Sequence, residues 1–325
     1  MHDLQKKYSR YSRQILLKEI GSEGQQLLQN KKVAIVGAGA LGTVAAELLA
    51  RAGVGNLILV DRDVVDESNL QRQTLFDEKD IGKNKATAAE QRIKEINSEI
   101  NVKTKVMHLG PKNVDVLDSA DIILDCTDNL QTRFLINDYC KKEKKPWIYA
   151  AAIKTSGYVM PILPEGPCLQ CFLSEGSQET CDTVGVLNTI TASIASLQVT
   201  LAIKMMLGTE IESVLHHFDI WDQNFKKLKI KQKENCNTCS GNYIHLEKKE
   251  TSRLIRFCST GKYQVLGPKV DLRVVKERWE KIGAVSEDVV SLRFQNLTLF
   301  DDGRALIDAK SVEEAEAIYS KLVGN

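Results

Sequence analysis

The chain has 325 residues, which is more than one average domain holds, so we expect a large domain and a smaller one. Its 44 lysines and arginines and 43 aspartates and glutamates leave a formal net charge of +1. This balance excludes a global field that would recruit nucleic acid or an anionic membrane. No apolar run approaches the roughly 20 residues needed to span a bilayer, and the first residues lack the apolar core of a signal peptide. We therefore expect a cytoplasmic protein that binds neither nucleic acid nor membrane.

A polar segment with one helix signal precedes the first predicted strand. Ser22, with Gln25 three residues later, predicts a capping box for a helix that carries Leu27 and Leu28. Arg13 lies upstream of this helix. Taken alone, Arg13 is interpreted as a solvated surface arginine, the ordinary role of that residue type.

The stretch from Lys32 to Gly42 predicts a strand, a tight turn and the start of a helix. An apolar run is followed by Gly-x-Gly-x-x-Gly, with glycines at Gly37, Gly39 and Gly42, and the helix is expected to stop at Gly53. Such glycines let the backbone turn sharply and approach a ligand, and the amides around Ala40 lie at the positive end of the helix dipole. We favour a nucleotide site. The alternative is a glycine-rich packing turn between strand and helix.

Charged and polar residues follow the second predicted strand. That strand ends in Asp61, at about the distance from the turn where an acid reaches a ribose hydroxyl. Asn69 and Arg72 are three residues apart, so on a short helix they share a face and both could point at phosphate. Lys85 lies in the first turn of the next predicted helix, where its charge opposes the helix dipole. An anionic ligand would offset that unfavourable placement.

Asp128 falls just past the carboxyl end of a strand predicted over residues 120–129, before a helix that begins at Gln131. Ligands of open α/β sheets gather at this edge, so Asp128 is placed to hold a magnesium ion through one or two oxygens. The alternative makes Asp128 a simple N-cap of the helix.

Eight cysteines include two Cys-x-x-Cys pairs, Cys168 with Cys171 and Cys236 with Cys239. Four thiolates in two such pairs match a tetrahedral structural zinc site that is closed to substrate. Redox dithiols are the rival interpretation of the same spacing.

Cys181 belongs to neither pair and lies in a polar loop between them, before a long apolar helix predicted from about Asn188 to Leu207. An exposed thiol of this kind can act as a nucleophile. It can equally be a bystander, because no histidine lies near it in the sequence to act as a base.

From about residue 248 the composition changes and the predicted order of elements is β-α-β-β-α. This order suggests an appended α+β domain over residues 248–325, of roughly the size that can just fold alone. The segment from Phe300 to Arg304 predicts a hairpin turn within it. The lysine-rich stretch from Lys226 to Lys233 is interpreted as a solvated face.

These motifs follow one another in a characteristic order along the chain. They are Arg13, the glycine turn, Asn69-Leu70-Gln71-Arg72-Gln73, Lys85, Asp125-Cys126-Thr127-Asp128-Asn129 and the four paired cysteines. In this order, over about residues 8–245, the chain resembles the ThiF/MoeB adenylyltransferases (the HesA/MoeB/ThiF family) of the ubiquitin-activating-enzyme superfamily. The resemblance implies an α/β fold with a Rossmann-like doubly wound sheet, mixed at one side. It also implies a structural zinc knuckle in an ATP-binding domain over residues 1–247, followed by the small α+β accessory domain.

The resemblance further implies an ATP-dependent enzyme that adenylates the C-terminal glycine of a β-grasp sulfur-carrier protein ending in Gly-Gly. The carrier would serve thiamine thiazole or molybdopterin synthesis. Residues carried over by position would bind ATP: Gly37, Gly39, Ala40, Gly42, Asp61, Asn69, Arg72, Gln73, Lys85, Asp128 and Asn129. The catalytic set would be Arg13, Arg72, Lys85, Asp128 and Cys181, with Asp128 on Mg2+. Cys168, Cys171, Cys236 and Cys239 would hold Zn2+, and Arg13 would reach the partner's site in a homodimer.

Adenylation itself does not need Cys181, because a carboxylate that attacks the α-phosphorus of ATP requires charge neutralisation and not a protein nucleophile. In the family, a cysteine at this position takes part in later sulfur steps in some members. The tail from residue 250 resembles a small domain of some bacterial relatives and not a rhodanese domain, since Cys258 lies in a strand signal. Sulfur would then come from a separate donor protein.

The sequence leaves alternative functions open. A nicotinamide (NAD-dependent) dehydrogenase begins with the same turn but has no use for Arg72, Lys85 and Asp128 converging on a triphosphate. A non-catalytic adaptor of the same fold is opposed by the full set of charged residues. Amide-forming relatives that modify short peptides are a further alternative, and the sequence does not choose between the thiazole and molybdopterin carriers.

Overall fold

A computed structural model of the chain describes residues 9–174, 184–247 and 262–324, and the backbone of residues 254–256. Cys181 and Cys258 lie outside the described residues. The chain divides into two compact units, which we describe separately. Residues 9–174 and 184–247 belong to the first unit, and residues 254–256 and 262–324 belong to the second.

The first unit is built on one mixed sheet. Its strands are β1 (Lys32–Val36), β2 (Asn56–Asp61), β3 (Asn101–Val106), β4 (Ile122–Asp125), β5 (Trp147–Ile153), β6 (Ser156–Ile162), β7 (Val214–Asp219) and β8 (Asn224–Lys229). They form an eight-stranded sheet in the order β3-β2-β1-β4-β5-β6-β7-β8. Pairs along β3 to β5 are parallel, whereas β6, β7 and β8 each pair antiparallel with the preceding strand. This mixed α/β sheet fits the predicted Rossmann-like fold class.

Helices cover the parallel part of this sheet. The described helices of the first unit are α1 (Ser12–Ile15), α2 (Gly21–Asn30), α3 (Ala40–Ala52), α4 (Lys85–Ile96), α5 (Leu130–Lys142), α6 (Asn188–Met206) and α7 (Ile244–Glu247). Helix α3 ends as the sequence indicates, because Gly53 adopts a left-handed φ of 81° and its N–H bonds back to the carbonyls of Leu49 and Ala50.

β1 lies in the interior of the sheet and is apolar on both faces. Val33 and Ile35 pack into one core cluster, and Ala34 and Val36 pack into the cluster on the opposite face. Successive side chains of a strand point to opposite faces, so a strand covered by helices on both sides reads as a continuous apolar run. This is the physical reason why the run before the glycine turn has no polar alternation.

α6 is the long apolar helix that the sequence predicts. By length and composition it is apolar enough to cross a bilayer, so the expectation that no such run exists was wrong. Its contacts are those of a core helix. Gln198 is fully buried, and its Nε2 donates to the carbonyls of Asp125 and Ile148, both at 2.9 Å. Ile190 and Ile194 lie in the same core as β1.

One local expectation in the first unit is corrected, and the solvated face predicted for the lysine-rich stretch is confirmed. The Ser22–Gln25 capping box is wrong, because α2 begins after Ile20 without a side-chain cap. Gln25 is instead fully buried, where it accepts from Gln14 Nε2 at 2.8 Å and donates to the carbonyl of Ala52 at 3.0 Å. The lysine-rich stretch begins inside β8, whose residues are all exposed. Lysines on an edge strand oppose pairing with other chains.

The second unit is an α+β arrangement. Its strands are β9 (Leu254–Arg256), β10 (Tyr263–Leu266), β11 (Ser286–Asp288), β12 (Ser291–Phe294), β13 (Leu297–Phe300) and β14 (Arg304–Ile307), and its helices are α8 (Leu272–Glu280) and α9 (Val312–Leu322). They form a six-stranded sheet in the order β11-β12-β13-β14-β10-β9. The predicted hairpin turn joins β13 to β14. At Gly303, φ is +89° and a β-carbon would lie 2.0 Å from the Pro268 carbonyl oxygen, so only glycine fits.

Candidate functional site

The glycine turn joins β1 to α3 at the carboxyl edge of the sheet. Gly37 has a φ of +96°, and a β-carbon there would lie 2.5 Å from the carbonyl oxygen of Cys126. A β-carbon at Gly42 would lie 1.8 Å from the carbonyl oxygen of Gly37. These two glycines are therefore required for packing. Gly39 differs, because the nearest atom to its β-carbon position is Gln73 Nε2 at 4.0 Å, so its backbone is open to a ligand.

Two features of this turn suit an anion or a polar ligand. Gly39 caps α3 and has no side chain, so no side-chain oxygen of that residue accepts from the first-turn amides of Ala40, Leu41 and Gly42. Gln73 is buried beside the turn, and its Oε1 has no hydrogen-bond partner among the described residues. A buried polar atom without a partner is rare in folded proteins, so its position next to Gly39 supports a ligand site.

Asp61 ends β2 and is bound to the glycine turn. Its Oδ2 accepts from the backbone N–H of Ala38 at 2.6 Å, and its Oδ1 accepts from the N–H of Asp63 at 2.7 Å. Loss of solvent and the neighbouring Asp63 carboxylate raise the pKa of Asp61, while the ammonium of Lys85 opposes that shift. Each carboxylate oxygen can accept more than one hydrogen bond, so these contacts leave capacity for a ribose hydroxyl.

Lys85 is the first residue of α4 and is almost completely buried. Its Nζ lies 3.7 Å from Asp63 Oδ2. The helix is capped by Asn84, whose Oδ1 accepts from the N–H of Thr87 at 3.2 Å and whose Nδ2 donates to the carbonyl of Asp63 at 3.1 Å. Asp63 and Asn84 were not predicted from the sequence. They hold the Lys85 ammonium at the same edge as the glycine turn.

Asn69 and Arg72 do not share one helix. A short 3-10 helix spans Glu67–Asn69 and ends before Arg72. Asn69 is buried, and its Oδ1 accepts from the backbone N–H of Asp66 in a reciprocal capping arrangement. Arg72 is partly exposed and donates from Nη1 to the carbonyl of Ser68 at 2.9 Å. The expectation of a common helical face is therefore wrong, since Asn69 caps a helix that stops before Arg72.

Asp128 is exposed on the loop that follows β4. This loop packs directly against Gly37, and β4 pairs with β1, so Asp128 lies at the same edge of the sheet as the turn. Asn129 and not Asp128 caps α5, because its Oδ1 accepts from the N–H of Thr132 at 2.8 Å. The structure therefore gives Asn129 a local role and leaves the Asp128 carboxylate available for a hard cation.

Arg133 holds this loop in place and was missed in the sequence. From the first turn of α5 its Nη2 donates to the carbonyls of Thr127 and Ala150. Its Nε lies 3.2 Å from Oδ2 of Asp125, a carboxylate with no exposed surface. Burial raises the pKa of Asp125, and the guanidinium of Arg133 opposes that shift. Because a buried acid at the end of a strand needs a cationic partner, Asp125 itself was the sequence signal for such a partner.

Arg13 lies away from the glycine turn of its own chain. It is exposed on α1, where the neighbouring Gln14 donates from Nε2 to the carbonyl of Ala52 at 2.9 Å. Ala52 is the last residue of α3, a helix of 13 residues whose first residue is at the turn. At 1.5 Å per residue, the two ends of α3 lie about 20 Å apart, which is farther than an arginine side chain extends. Arg13, held beside the C-terminal end of α3, is therefore out of reach of the glycine turn in its own chain.

The two cysteine pairs meet in space. Sγ atoms of Cys168, Cys171, Cys236 and Cys239 all lie within 4.8 Å of one another, and the four thiols are free. The Sγ atoms of Cys168 and Cys171 are 3.9 Å apart, and Sγ–Sγ distances between the two pairs are 3.4 and 3.6 Å. A tetrahedral Zn2+ with bonds of about 2.3 Å places its sulfurs about 3.8 Å apart, so the cluster fits that ion. Two independent redox dithiols would not require all four sulfurs to converge.

Comparisons with known proteins agree with this geometry. A family model described as the ThiF family matches residues 11–239. The sulfur carrier protein ThiS adenylyltransferase of Bacillus subtilis (strain 168) is 36% identical over 97% of this chain and 99% of its own length. The adenylyltransferase and sulfurtransferase MOCS3 of Culex quinquefasciatus is 39% identical over 72% of this chain, which spans 56% of that protein. E. coli MccB, crystallised with succinimide, shares the fold with a TM-score of 0.64 at 24% identity, over 71% of this chain and 74% of that chain.

Proposed function

The chain belongs to the ThiF family, and we propose that it uses ATP to adenylate the C-terminal glycine of a small β-grasp sulfur-carrier protein. Membership of this family makes it an enzyme of the adenylyltransferase class. The observation that carries the proposal is the convergence of the open Gly39 backbone, the buried Lys85 ammonium and the Asp128 carboxylate at one edge of the sheet. A dehydrogenase or a non-catalytic adaptor has no need of that set.

In the proposed reaction, a carboxylate oxygen of the carrier's terminal glycine attacks the α-phosphorus of ATP. A bond forms between that oxygen and phosphorus, the bond from the α-phosphorus to the bridging oxygen breaks, and pyrophosphate leaves with the electron pair. The first-turn amides of α3 bind phosphate oxygens, and Lys85 and Arg72 neutralise charge on the phosphates. Asp61 orients the ribose. No protein nucleophile is needed, so Cys181 is assigned to a later sulfur step.

Asp128 would hold Mg2+ in this site. Magnesium in nucleotide sites is bound through one or two carboxylates together with phosphate oxygens and water, and the exposed Asp128 carboxylate suits that arrangement. The ion supplies charge stabilisation at the phosphates when bound. Arg133 and Asp125 fix the loop that carries Asp128, and Gln73 presents its unpartnered Oε1 beside Gly39.

A ThiS-like carrier of the thiazole pathway is the substrate we favour over a molybdopterin carrier. Support comes from the match with the B. subtilis ThiS adenylyltransferase, which extends over 97% of this chain and therefore includes the second unit. We propose an adenylyltransferase domain over residues 1–247, an accessory domain over residues 248–325 and a cytoplasmic location. We further propose that sulfur is delivered by a separate donor protein.

The same proposal includes a homodimer in which Arg13 of each chain reaches the site of the other chain. Arg13 is held near the C-terminal end of α3, away from its own glycine turn. The exposed Leu16 and Leu17 follow it in the chain, with 75% and 51% of their surfaces accessible. In a two-fold dimer such a segment contacts the partner reciprocally, which brings an arginine to each site from the neighbouring chain.

Carrier-dependent exchange of labelled pyrophosphate into ATP tests this function. The purified chain should catalyse exchange with a ThiS-like carrier ending in Gly-Gly, more slowly with a molybdopterin-type carrier, and not with the ThiS-like carrier lacking its final glycine. Exchange with a short peptide alone would favour a peptide-modifying enzyme. Formation of NADH in place of exchange would overturn the proposal.

A further inference from the structure

We propose that Asn137 and Asp138, two adjacent buried residues of α5, are positioning residues that hold the two cysteine pairs together for their metal ion. Neither side chain has any exposed surface. The proposal rests on the assignment of the cysteine cluster to zinc and not on the adenylation reaction. The two assignments can therefore fail separately.

Asn137 connects both cysteine pairs to the helix. Its Oδ1 accepts from the backbone N–H of Leu169, inside the first pair, at 2.8 Å. Its Nδ2 donates to Oγ1 of Thr238, inside the second pair, at 3.2 Å. One amide thus bonds to two loops that are distant in sequence. These contacts fix the position of each loop relative to α5.

Asp138 completes the arrangement on the same helix. One carboxylate oxygen accepts the hydroxyl proton of Thr238, and the other accepts from the backbone N–H of His245 at 2.9 Å. Thr238 therefore donates to Asp138 and accepts from Asn137, so its hydroxyl uses both of its hydrogen-bonding functions. The ring of His245 stacks on Phe134, and its Nε2 lies 3.2 Å from Nε2 of Gln170, inside the first pair.

Physical chemistry explains why these contacts would favour metal binding. Without a cation the four free thiols hold the two loops together only weakly, so a metal-free chain needs other interactions to keep the loops together. Burial also raises the pKa of Asp138, and its hydrogen bonds from Thr238, His245 and Asn137 oppose that shift by stabilising the carboxylate. Hydrogen bonds outside the ligand shell orient metal ligands, and their removal typically weakens metal affinity by about 10- to 100-fold.

A merely structural buried amide provides the matched control. Asn97 is also fully buried in the first unit, and its Nδ2 donates to Tyr11 Oη and to the carbonyl of Ala50, both at 2.8 Å. It has no contact with the cysteine pairs in these bonds. Asn97→Ala should therefore lower stability as Asn137→Ala does, but without a change in zinc affinity.

The experiment measures the zinc dissociation constant of the full chain by competition with a chromogenic chelator, together with the thermal unfolding temperature. We expect the constant to rise about 10- to 100-fold in Asn137→Ala and in Thr238→Val. Asn97→Ala should stay within about threefold of the wild type while unfolding at a lower temperature. Thr238→Val preserves shape, so it decides the question if Asn137→Ala does not fold.

Unchanged zinc affinity in Asn137→Ala or in the folded Thr238→Val chain would overturn the proposal. An equal loss of affinity in Asn97→Ala would do the same, because it would reduce the effect to general destabilisation. If wild-type protein purified without chelator contained no zinc, both the metal site and the positioning role of Asn137 and Asp138 would be refuted. Failure of pyrophosphate exchange in a chain with normal zinc affinity would contradict only the proposed function.

Discussion

The loop after β4 divides its tasks among neighbouring residues. Asn129 caps α5, Thr127 and Asp125 bond to each other, and Arg133 anchors the loop from the helix. Asp128 is the exposed carboxylate in this set. At the scale of single residues, this separation of structural and ligand-binding roles makes substitutions in the loop informative.

Asp128→Ala should abolish carrier-dependent exchange of pyrophosphate into ATP, because the phosphoryl chemistry loses its proposed magnesium ligand. Cys181→Ala should leave exchange largely intact and impair a later sulfur-transfer step. Asp222→Ala is the control, since Asp222 is also exposed but follows β7, four strands from β1 and so about 19 Å away. Lost exchange in a folded Cys181→Ala chain would contradict this division of labour.

Arg133→Met should lower the free energy of unfolding by about 3–5 kcal/mol, because it leaves the buried Asp125 carboxylate without its cationic partner. Arg92→Met is the matched control. Its guanidinium pairs with Glu95 on the exposed surface of α4, where such a pair contributes at most about 1 kcal/mol. Urea unfolding followed by circular dichroism measures both. Equal effects of the two substitutions would show that the Asp125 pair does not stabilise the loop.

At the scale of elements, α5 joins the two chemical regions of the first unit. Its first turn carries Arg133 next to the loop of Asp128, and its second half carries Asn137 and Asp138 beneath the cysteine pairs. The same helix thus supports the nucleotide edge and the cysteine cluster. The pairs themselves are short loops that a bound metal would tie to each other, while Asn137 and Asp138 bond them to the helix.

We predict one zinc ion per chain, bound by the four clustered cysteines. Cys236→Ala should lose most of this zinc and unfold at a lower temperature, because a structural zinc site contributes folding free energy. Cys140→Ala is the control, since Cys140 is a buried free thiol of α5 outside the cluster. It should keep its zinc. Elemental analysis and thermal unfolding check both variants, and a zinc-free wild type would refute the assignment.

At the scale of the whole molecule, the position of Arg13 requires a second chain if this residue acts in catalysis. Tyr11 and Gln14 fix its segment at the C-terminal ends of helices whose N-termini carry the candidate site. Asn97 Nδ2 donates to Tyr11 Oη just after α4, and Gln14 donates to Ala52 at the end of α3. In the proposed homodimer, the site in one chain would be completed by Arg13 of the other.

Arg13→Ala and Asp128→Ala should each be inactive alone but complement each other in mixed dimers. In a mixed dimer one site keeps Asp128 and borrows an intact Arg13, while the other site carries both lesions. Random exchange of equal amounts yields half mixed dimers with one good site of two, so exchange activity should return to about a quarter of wild type. Arg51→Ala, an exposed arginine of α3, is the control and should be active alone.

A mixture that stays inactive after verified subunit exchange would place Arg13 in the site of its own chain. The same result would follow if one site could not work alone. A wild-type chain paired with Asp128→Ala retains both arginines and one intact Asp128, so its activity shows whether one site suffices.

The sequence alone determined the features that depend on local spacing. Glycines at fixed intervals predicted the turn that begins α3, a long apolar stretch predicted α6, and paired cysteines predicted a cluster of four thiols. Gly53 predicted the end of α3. Each of these signals lies within a few residues, where backbone geometry and side-chain period fix the outcome.

Only the tertiary structure decided which distant residues meet. Asn137 bonds to Thr238 across 101 positions, and Gln198 bonds to Asp125 across 73. Sheet order sets these contacts, and a sequence pattern carries no information about the order in which strands pair. Competition for hydrogen bonds explains the errors in the local predictions. Gln25 bonds to Gln14 and Ala52 and does not form the predicted cap, and Asn69 caps a short helix. A buried polar group takes the partner that the packed fold brings to it.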